Sequence, residues 1–280
     1  MQLKLPRNRF LDLSRTQLMG ILNVTPDSFS DGGRFIGHDS AIAQVQSMIR
    51  DGATIIDIGG ESTRPGAKDV ALVEELARVI PVINAIRAFD PDIVISVDTS
   101  KAEVMAAAIA AGADIINDVR ALQEPGALAV AVQSQVPVCL MHMQGQPRSM
   151  QHQPQYDDVQ AEVLQFLQVR AEQCIEAGIV REQIILDPGF GFGKTLQHNY
   201  QLLAGFEKFV ATGFPVLAGM SRKSMIGHLL QRDVAERLAG SLACATIATM
   251  KGAAIVRAHD VRETADAMAI ALATKFGVEA

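Results

Sequence analysis

The chain has 280 residues, 49% of them hydrophobic, and its 25 Lys and Arg are outweighed by 31 Asp and Glu for a formal charge of −6. That is apolar material for one large core, and the acidic balance and 5% aromatic content argue against a basic nucleic-acid face, a base-stacking platform or a polybasic membrane surface. No uninterrupted apolar run of about 20 residues is present, and the start of the chain does not read as a signal peptide, so neither nucleic acid nor membrane is expected as a partner. Cys139, Cys174 and Cys244 form no Cys-x-x-Cys pair; their odd number disfavours a disulfide framework or zinc knuckle and fits a reducing cytoplasm.

Taken in chain order, residues 1–16 alternate weakly and read as a short N-terminal β-hairpin at the bottom of the fold. From there, short apolar, β-branched runs alternate with longer stretches of helical period. The run at 17–24 leads through a long loop, 25–39, to a helix over 40–51, and the run at 54–58 to a helix over 70–89. Runs at 93–97 and 115–117 are followed by helices over 101–111 and 126–134. The run at 137–141 precedes a long loop rich in Gln, Pro and His, 143–156, and a helix over 157–177. Runs at 183–186, 215–218 and 253–256 are followed by helices over 199–209, 223–250 and 262–275. The runs lack an in/out alternation, as expected of parallel strands covered on both faces. The third helix is typical, rich in Ala and stopped by Gly112. Eight strands alternating with eight helices predict an α/β fold, a (β/α)8 TIM barrel in a single domain over 1–280, with the hairpin in 1–16 and the barrel in 17–277. A doubly wound open sheet is the rival arrangement.

Chemistry in such a barrel sits at the C-terminal ends of the strands. There the runs lead into Asn23, Asp57, Asp98, Asn117-Asp118, His142, Asp187, Ser221-Arg222-Lys223 and Arg257-Ala-His259. One Asp at a strand end, such as Asp98 before Thr-Ser-Lys, reads equally well as a helix cap, and Lys223 as a solvated helix start. Eight polar ends on one rim point instead to an active site. Arg64, Arg257 and His259 follow the second and eighth strands, which flank the first in a closed barrel, so they can converge on one anion such as a phosphate. Asn23 offers a neutral oxygen beside it that suits Mg2+. Asp98, Asn117, Asp187 and Lys223 suit a flat heterocycle carrying N–H donors and a carbonyl. Met141 and Met143 are expected first as barrel wall, and Cys139 as core.

The run Gly189-Phe190-Gly191-Phe192-Gly193-Lys194-Thr195 is one residue short of a Walker A loop, because Pro188 stands where its first glycine belongs. No Gly-x-Ser-x-Gly elbow and no metal-ligand histidine spacing is present. The segments Gly20-Ile-Leu-Asn23-Val-Thr25-Pro-Asp27-Ser-Phe29-Ser-Asp31-Gly-Gly33 and Asp57-Ile-Gly-Gly-Glu-Ser62-Thr63-Arg64-Pro65-Gly66 resemble the two signatures of dihydropteroate synthases. Asp187-Pro-Gly-Phe190-Gly-Phe192-Gly-Lys194, Gly219-Met-Ser221-Arg-Lys223-Ser and Arg257-Ala-His259-Asp260 complete the pattern over almost the whole chain.

The resemblance implies a Mg2+-assisted condensation of 6-hydroxymethyl-7,8-dihydropterin diphosphate with 4-aminobenzoate to 7,8-dihydropteroate and pyrophosphate, with Asp98, Asp187, Lys223, Arg257 and His259 as catalytic residues. It implies a pterin pocket of Asp98, Asn117, Met141, Asp187, Gly219 and Lys223, and a diphosphate site of Asn23, Thr63, Arg64, Arg257 and His259. An aminobenzoate pocket of Phe29, Ser62, Thr63, Pro65, Phe190, Ser221 and Lys223 is implied as well. It implies that Asn23 faces the Mg2+ and Asp31 either the metal or the developing cation; sulfonamides are implied as competitive inhibitors, and homodimers form through late helices, with the Ala-rich stretch 238–250 as the candidate. A related corrinoid methyltransferase shares the pterin-binding acids but has no need of the Asn23–Gly33 segment, and a non-catalytic paralogue is expected to lack Asn23, Arg64 or Lys223.

Overall fold

The computed structural model describes residues 1–24, 34–62, 69–145 and 154–278. A hairpin of β1 (Gln2–Leu5) and β2 (Arg9–Asp12) precedes eight parallel strands: β3 (Gln17–Asn23), β4 (Ile55–Gly59), β5 (Val94–Asp98), β6 (Ile115–Asp118), β7 (Val138–Met141), β8 (Ile184–Asp187), β9 (Leu217–Ala218) and β10 (Ile255–Ala258). The hydrogen-bonded order runs β8-β7-β6-β5-β4-β3-β10-β9, and a parallel bridge between Leu186 and Val216 brings the last strand back to β8. The sheet is therefore closed into a (β/α)8 barrel, and the open-sheet alternative falls.

Helices α1 (Arg34–Arg50), α2 (Leu72–Phe89), α3 (Ala102–Ala111), α4 (Ala127–Ser134), α5 (Val159–Glu176), α6 (Leu196–Ala204), α7 (Phe206–Val210), α8 (Ser224–Leu230), α9 (Leu238–Met250) and α10 (Val261–Phe276) surround it. Three differ from the expected elements. Helix α1 starts at Arg34, inside the stretch read as loop. The helix expected over 199–209 breaks at Gly205, whose backbone (φ −96°, ψ 18°) leaves helical geometry and caps α6, with the Gln160 amide packed against it. The helix expected over 223–250 is two, because Gln231 closes α8 in the left-handed region (φ 54°) and Asp233 opens a new turn in a capping box with Glu236.

The strand period of two sorts the barrel's contents into layers. At the bottom, each strand contributes one inward apolar residue: Met19, Ile55, Val94, Ile115, Cys139, Ile185, Leu217 and Ile255. Leu3, Leu5, Leu11 and Leu13 of the hairpin segment pack on this ring and close it. The intervening residues, such as Leu18, Ile56, Ile95 and Ile116, point outward into the larger core under the helices. The hairpin is also held by charge. Fully buried Asp114 receives Arg7 Nη2 and Arg87 Nη2 at 2.5 Å each, a third guanidinium from Arg9, and the Ile95 amide at 3.0 Å.

Candidate active site

Two residues beyond the apolar ring, the same period turns Ile21, Asp57, Ser96, Asn117, Met141, Asp187, Gly219 and Arg257 inward. Alternate strands β4, β6, β8 and β10 thus supply Asp57, Asn117, Asp187 and Arg257, the way barrel layers form. Arg257 is the centre of this layer: its Nε donates to Asp57 Oδ2 at 2.6 Å and its Nη2 to Asp98 Oδ2 at 2.8 Å. Asn117 Nδ2 reaches the same Asp57 oxygen at 3.1 Å. Asp98, at the mouth, is level with Gly59 on one side and Asn117 on the other.

The opposite wall comes from the turn after β8. Asp187 Oδ1 accepts the Gly189 amide at 2.7 Å, which folds the chain back over the strand end. Gly189 must be glycine there, since its φ is +69° and a Cβ would lie 1.9 Å from the His142 carbonyl oxygen. Lys223 donates to the Phe190 carbonyl and lies 4.4 Å from the centre of the Phe192 ring. Behind this turn, buried Lys194 spends its donors on His142 Nδ1 (2.9 Å), the His142 carbonyl (3.3 Å) and the Phe192 carbonyl (2.9 Å). Burial, and then the Lys194 charge, push His142 down to about 2, so it stays neutral with Nδ1 as acceptor. A third sector joins β9 to β10. Ser221 Oγ accepts the His259 amide at 3.1 Å and meets His259 Nδ1 at 3.0 Å, while Arg222 clasps Asp260 through two hydrogen bonds.

Burial governs the electrostatics. It raises Asp98 to about 7, with Arg257 opposing and Asp57 adding to the rise. It also raises Asp187, against Lys223. It lowers Lys223 to about 8, against the pull of Asp187. Burial works against the Arg257 charge too, but Asp57 and Asp98 outweigh it and lift this guanidinium above its ordinary value. Burial pushes the Cys139 thiol well up, in keeping with a core residue. The cavity is therefore lined by acids reluctant to ionise and a lysine ready to give up its proton, a combination found at functional sites.

Comparison with known proteins settles what family carries this site. The model of the pterin binding enzyme family matches residues 19–259. The dihydropteroate synthase of Haemophilus influenzae is 58% identical over 268 residues, 95% of this chain and 97% of its own. The chain belongs to the dihydropteroate synthase family. Among solved structures, a Yersinia pestis dihydropteroate synthase in complex with a sulfonamide drug superposes with a TM-score of 0.92 at 56% identity, covering 98% of this chain and 99% of that one. The Xanthomonas albilineans synthase in complex with 7,8-dihydropteroate gives 0.89 at 45% identity, covering 99% of each chain.

Within this family frame the expected residues divide clearly. Asp98, Asn117, Met141, Asp187, Gly219, Lys223, Arg257 and His259 gather at one rim, and Asn23 ends β3 beside Gly59. Ser62 lies half-buried after β4. Phe29, Asp31, Thr63, Arg64 and Pro65 lie outside the described residues. Three expected residues change place. Phe190 is fully buried and stacks on Phe206 at 6.4 Å in the outer core, so it brings its carbonyl rather than its ring to the site. Phe192, unassigned in the sequence reading, carries the half-buried ring beside Lys223; Gly191, at φ +82°, turns the chain between them so that the two rings part. Ser221 is engaged by His259 and faces the β9–β10 junction. Arg257, expected on the anion side alone, is held among carboxylates at the centre. Asp57, counted among the polar strand ends, was given no role in the site, although its place two residues on from Ile55 turns it inward.

Proposed function

We propose that this chain condenses 6-hydroxymethyl-7,8-dihydropterin diphosphate with 4-aminobenzoate, releasing pyrophosphate and 7,8-dihydropteroate. The observation that carries the reading is the central layer: buried Asp98, Asn117 and Asp187 offer hydrogen-bond acceptors, and Lys223 a donor, converging at one rim in the polarity that an aminopyrimidinone ring requires. The bond between the pterin methylene carbon and the diphosphate oxygen breaks, and a bond to the arylamine nitrogen forms, which then sheds its proton.

A loose transition state suits these residues. Positive charge growing on the methylene is spread into the electron-rich dihydropterin ring, where Asp98 and Asp187 favour it electrostatically. His259, with Thr63 and Arg64 from the signature after β4, binds the departing diphosphate, and the Arg257 charge lies close by. The arylamine is a sufficient nucleophile, so the displacement requires no strong base. Phe192 and the aliphatic stem of Lys223 form the described wall against which the aminobenzoate ring stacks, with Phe29 and Pro65 as further walls.

Among the described residues no three of His, Cys, Asp and Glu gather as a metal cage. A lone neutral oxygen at Asn23, with Asp31 near it in the chain, fits Mg2+ that takes few protein ligands and several from phosphates and water. Bound there, Mg2+ supplies charge neutralisation for the leaving group. Sulfonamides, which share the shape and charge of aminobenzoate, act as competitive inhibitors, as the complex of the Yersinia relative supports. Exposed Ile247 and Met250, which share one side of α9, and exposed Ile270 of α10 support a homodimer through these helices. No helix among the described residues is long and apolar enough to cross a membrane, and a cytoplasmic location belongs to the same reading.

The deciding experiment mixes the protein with Mg2+, pterin diphosphate and 4-aminobenzoate and follows pyrophosphate and 7,8-dihydropteroate by mass. Product requiring every component is expected. Tight pterin binding without product would mean a binding protein, and no pterin binding would overturn the reading of the central layer.

A further inference from the structure

Asp57 is fully buried in the same layer as Asn117 and Arg257, and both of those side chains donate to it, with Asp98 reached through Arg257. Its Oδ2 accepts from Arg257 Nε at 2.6 Å, and Arg257 spans from there to Asp98. An arginine nitrogen can only donate, so this oxygen is an acceptor. The Asn117 group 3.1 Å away must then be a donor, which assigns the amide nitrogen to Asp57 and turns the amide oxygen the other way. Asn117 is itself buried, and its oxygen accepts from no described residue.

We propose that Asp57 is a positioning residue that orients Asn117, so that the amide oxygen, not the nitrogen, faces the ligand and the pocket reads an N–H donor of a 2-amino-4-oxo heterocycle at that point. The inference rests on the pterin reading and deepens it. Without Asp57 the amide is free to turn. An inverted amide presents N–H to N–H, and a polar site that cannot pair with its ligand loses far more affinity than one that is merely looser. Asp57 Oδ1 and Ser96 Oγ stand at paired positions of β4 and β5, and neither has a partner among the described residues. The nitrogen introduced by Asp57→Asn takes the place of Oδ1, which has no partner among the described residues, so the carbonyl oxygen can keep its place against Arg257 and Asn117. Asp57→Leu keeps the volume and removes the acceptor.

The test is a double-mutant cycle on pterin diphosphate affinity, measured calorimetrically. Asp57→Leu and Asn117→Ala are each expected to weaken binding by about tenfold or more, from one lost buried hydrogen bond. The double variant is expected to bind within about threefold of Asn117→Ala, because neighbouring residues acting through one another do not add. Asp57→Asn is expected to recover most of the loss. Losses that multiply in the double variant, or an Asp57→Asn as weak as Asp57→Leu, would overturn the proposal. The wild type supplies a check that needs no folded variant: the Asn117 side-chain amide protons, assigned by their absence in Asn117→Ala, are expected to be protected from exchange before ligand is added and to stay unshifted after. Protons that become bonded only when the pterin binds would show the nitrogen facing the ligand. If the wild type binds no pterin diphosphate, it is the pterin reading that fails; binding with independent losses defeats the orientation of Asn117 alone.

Discussion

Burial raises Asp98 to about 7 and lowers Lys223 to about 8, while their ionic partners hold each back. Below about 7, Asp98 takes a proton and ceases to accept from the pterin ring; above about 8, Lys223 loses its own and ceases to be a charged donor. The pH profile of kcat/KM for the pterin substrate is therefore expected to be bell-shaped with limbs near these values, and Asp98→Asn to flatten the acidic limb as well as lower the rate. An acidic limb that survives that substitution would assign it elsewhere. The two phenylalanines after β8 make a second test. Phe192→Ala is expected to raise the KM for aminobenzoate about tenfold, the loss of one aromatic contact, and to leave pterin affinity alone. Phe190→Ala is expected instead to cost about 3–5 kcal/mol of stability in chemical denaturation, as a fully buried ring does. The reverse pattern would return Phe190 to the aminobenzoate pocket.

The hairpin β1–β2 is the element whose role is least evident from its own residues. Its leucines cover the apolar ring at the barrel bottom, and two of its arginines join Arg87 on one buried carboxylate. Asp114→Ala leaves three like charges gathered with no counter-ion. It is expected to destabilise the protein by about 3–5 kcal/mol, the range for breaking a buried ion pair from one side. The change lies at the opposite end of β6 from Asn117, so pterin affinity of the folded fraction is expected to hold. A loss below about 1 kcal/mol in a denaturant titration, the range of a surface pair, would show that the arginines find other partners.

At the scale of the whole molecule, exposed Ile247 and Met250 on one side of α9 and exposed Ile270 of α10 belong to two helices that pack against each other. Glutamates at positions 247 and 250 are expected to convert a dimer to a monomer in sedimentation at micromolar concentration without changing the pterin site, because charge in an apolar interface costs more than it returns. A wild type that already sediments as a monomer would remove the dimer from the reading.

The alternation of apolar runs with helical stretches determined eight parallel strands covered on both faces, while the closure that separates a barrel from an open sheet was decided by the pairing beside β8 in the tertiary structure. The polar strand ends placed Asp98, Asn117, Asp187, Lys223 and Arg257 at one rim for the same reason: strand number and direction fix which end each residue occupies. The partner of each residue was not legible. The pairing of Arg257 with Asp57 and Asp98 depends on closing a ring whose members lie as far as 200 residues apart, and local sequence carries no information about that closure. Phe190 and Phe192 have the same chemistry and neighbours, and only the left-handed Gly191 between them decides which ring enters the core. The breaks at Gly205 and Gln231 likewise follow from capping in three dimensions, where helix propensity alone reads straight through. Residue types and their order determined the layers of this protein, while packing across the barrel decided which charges meet.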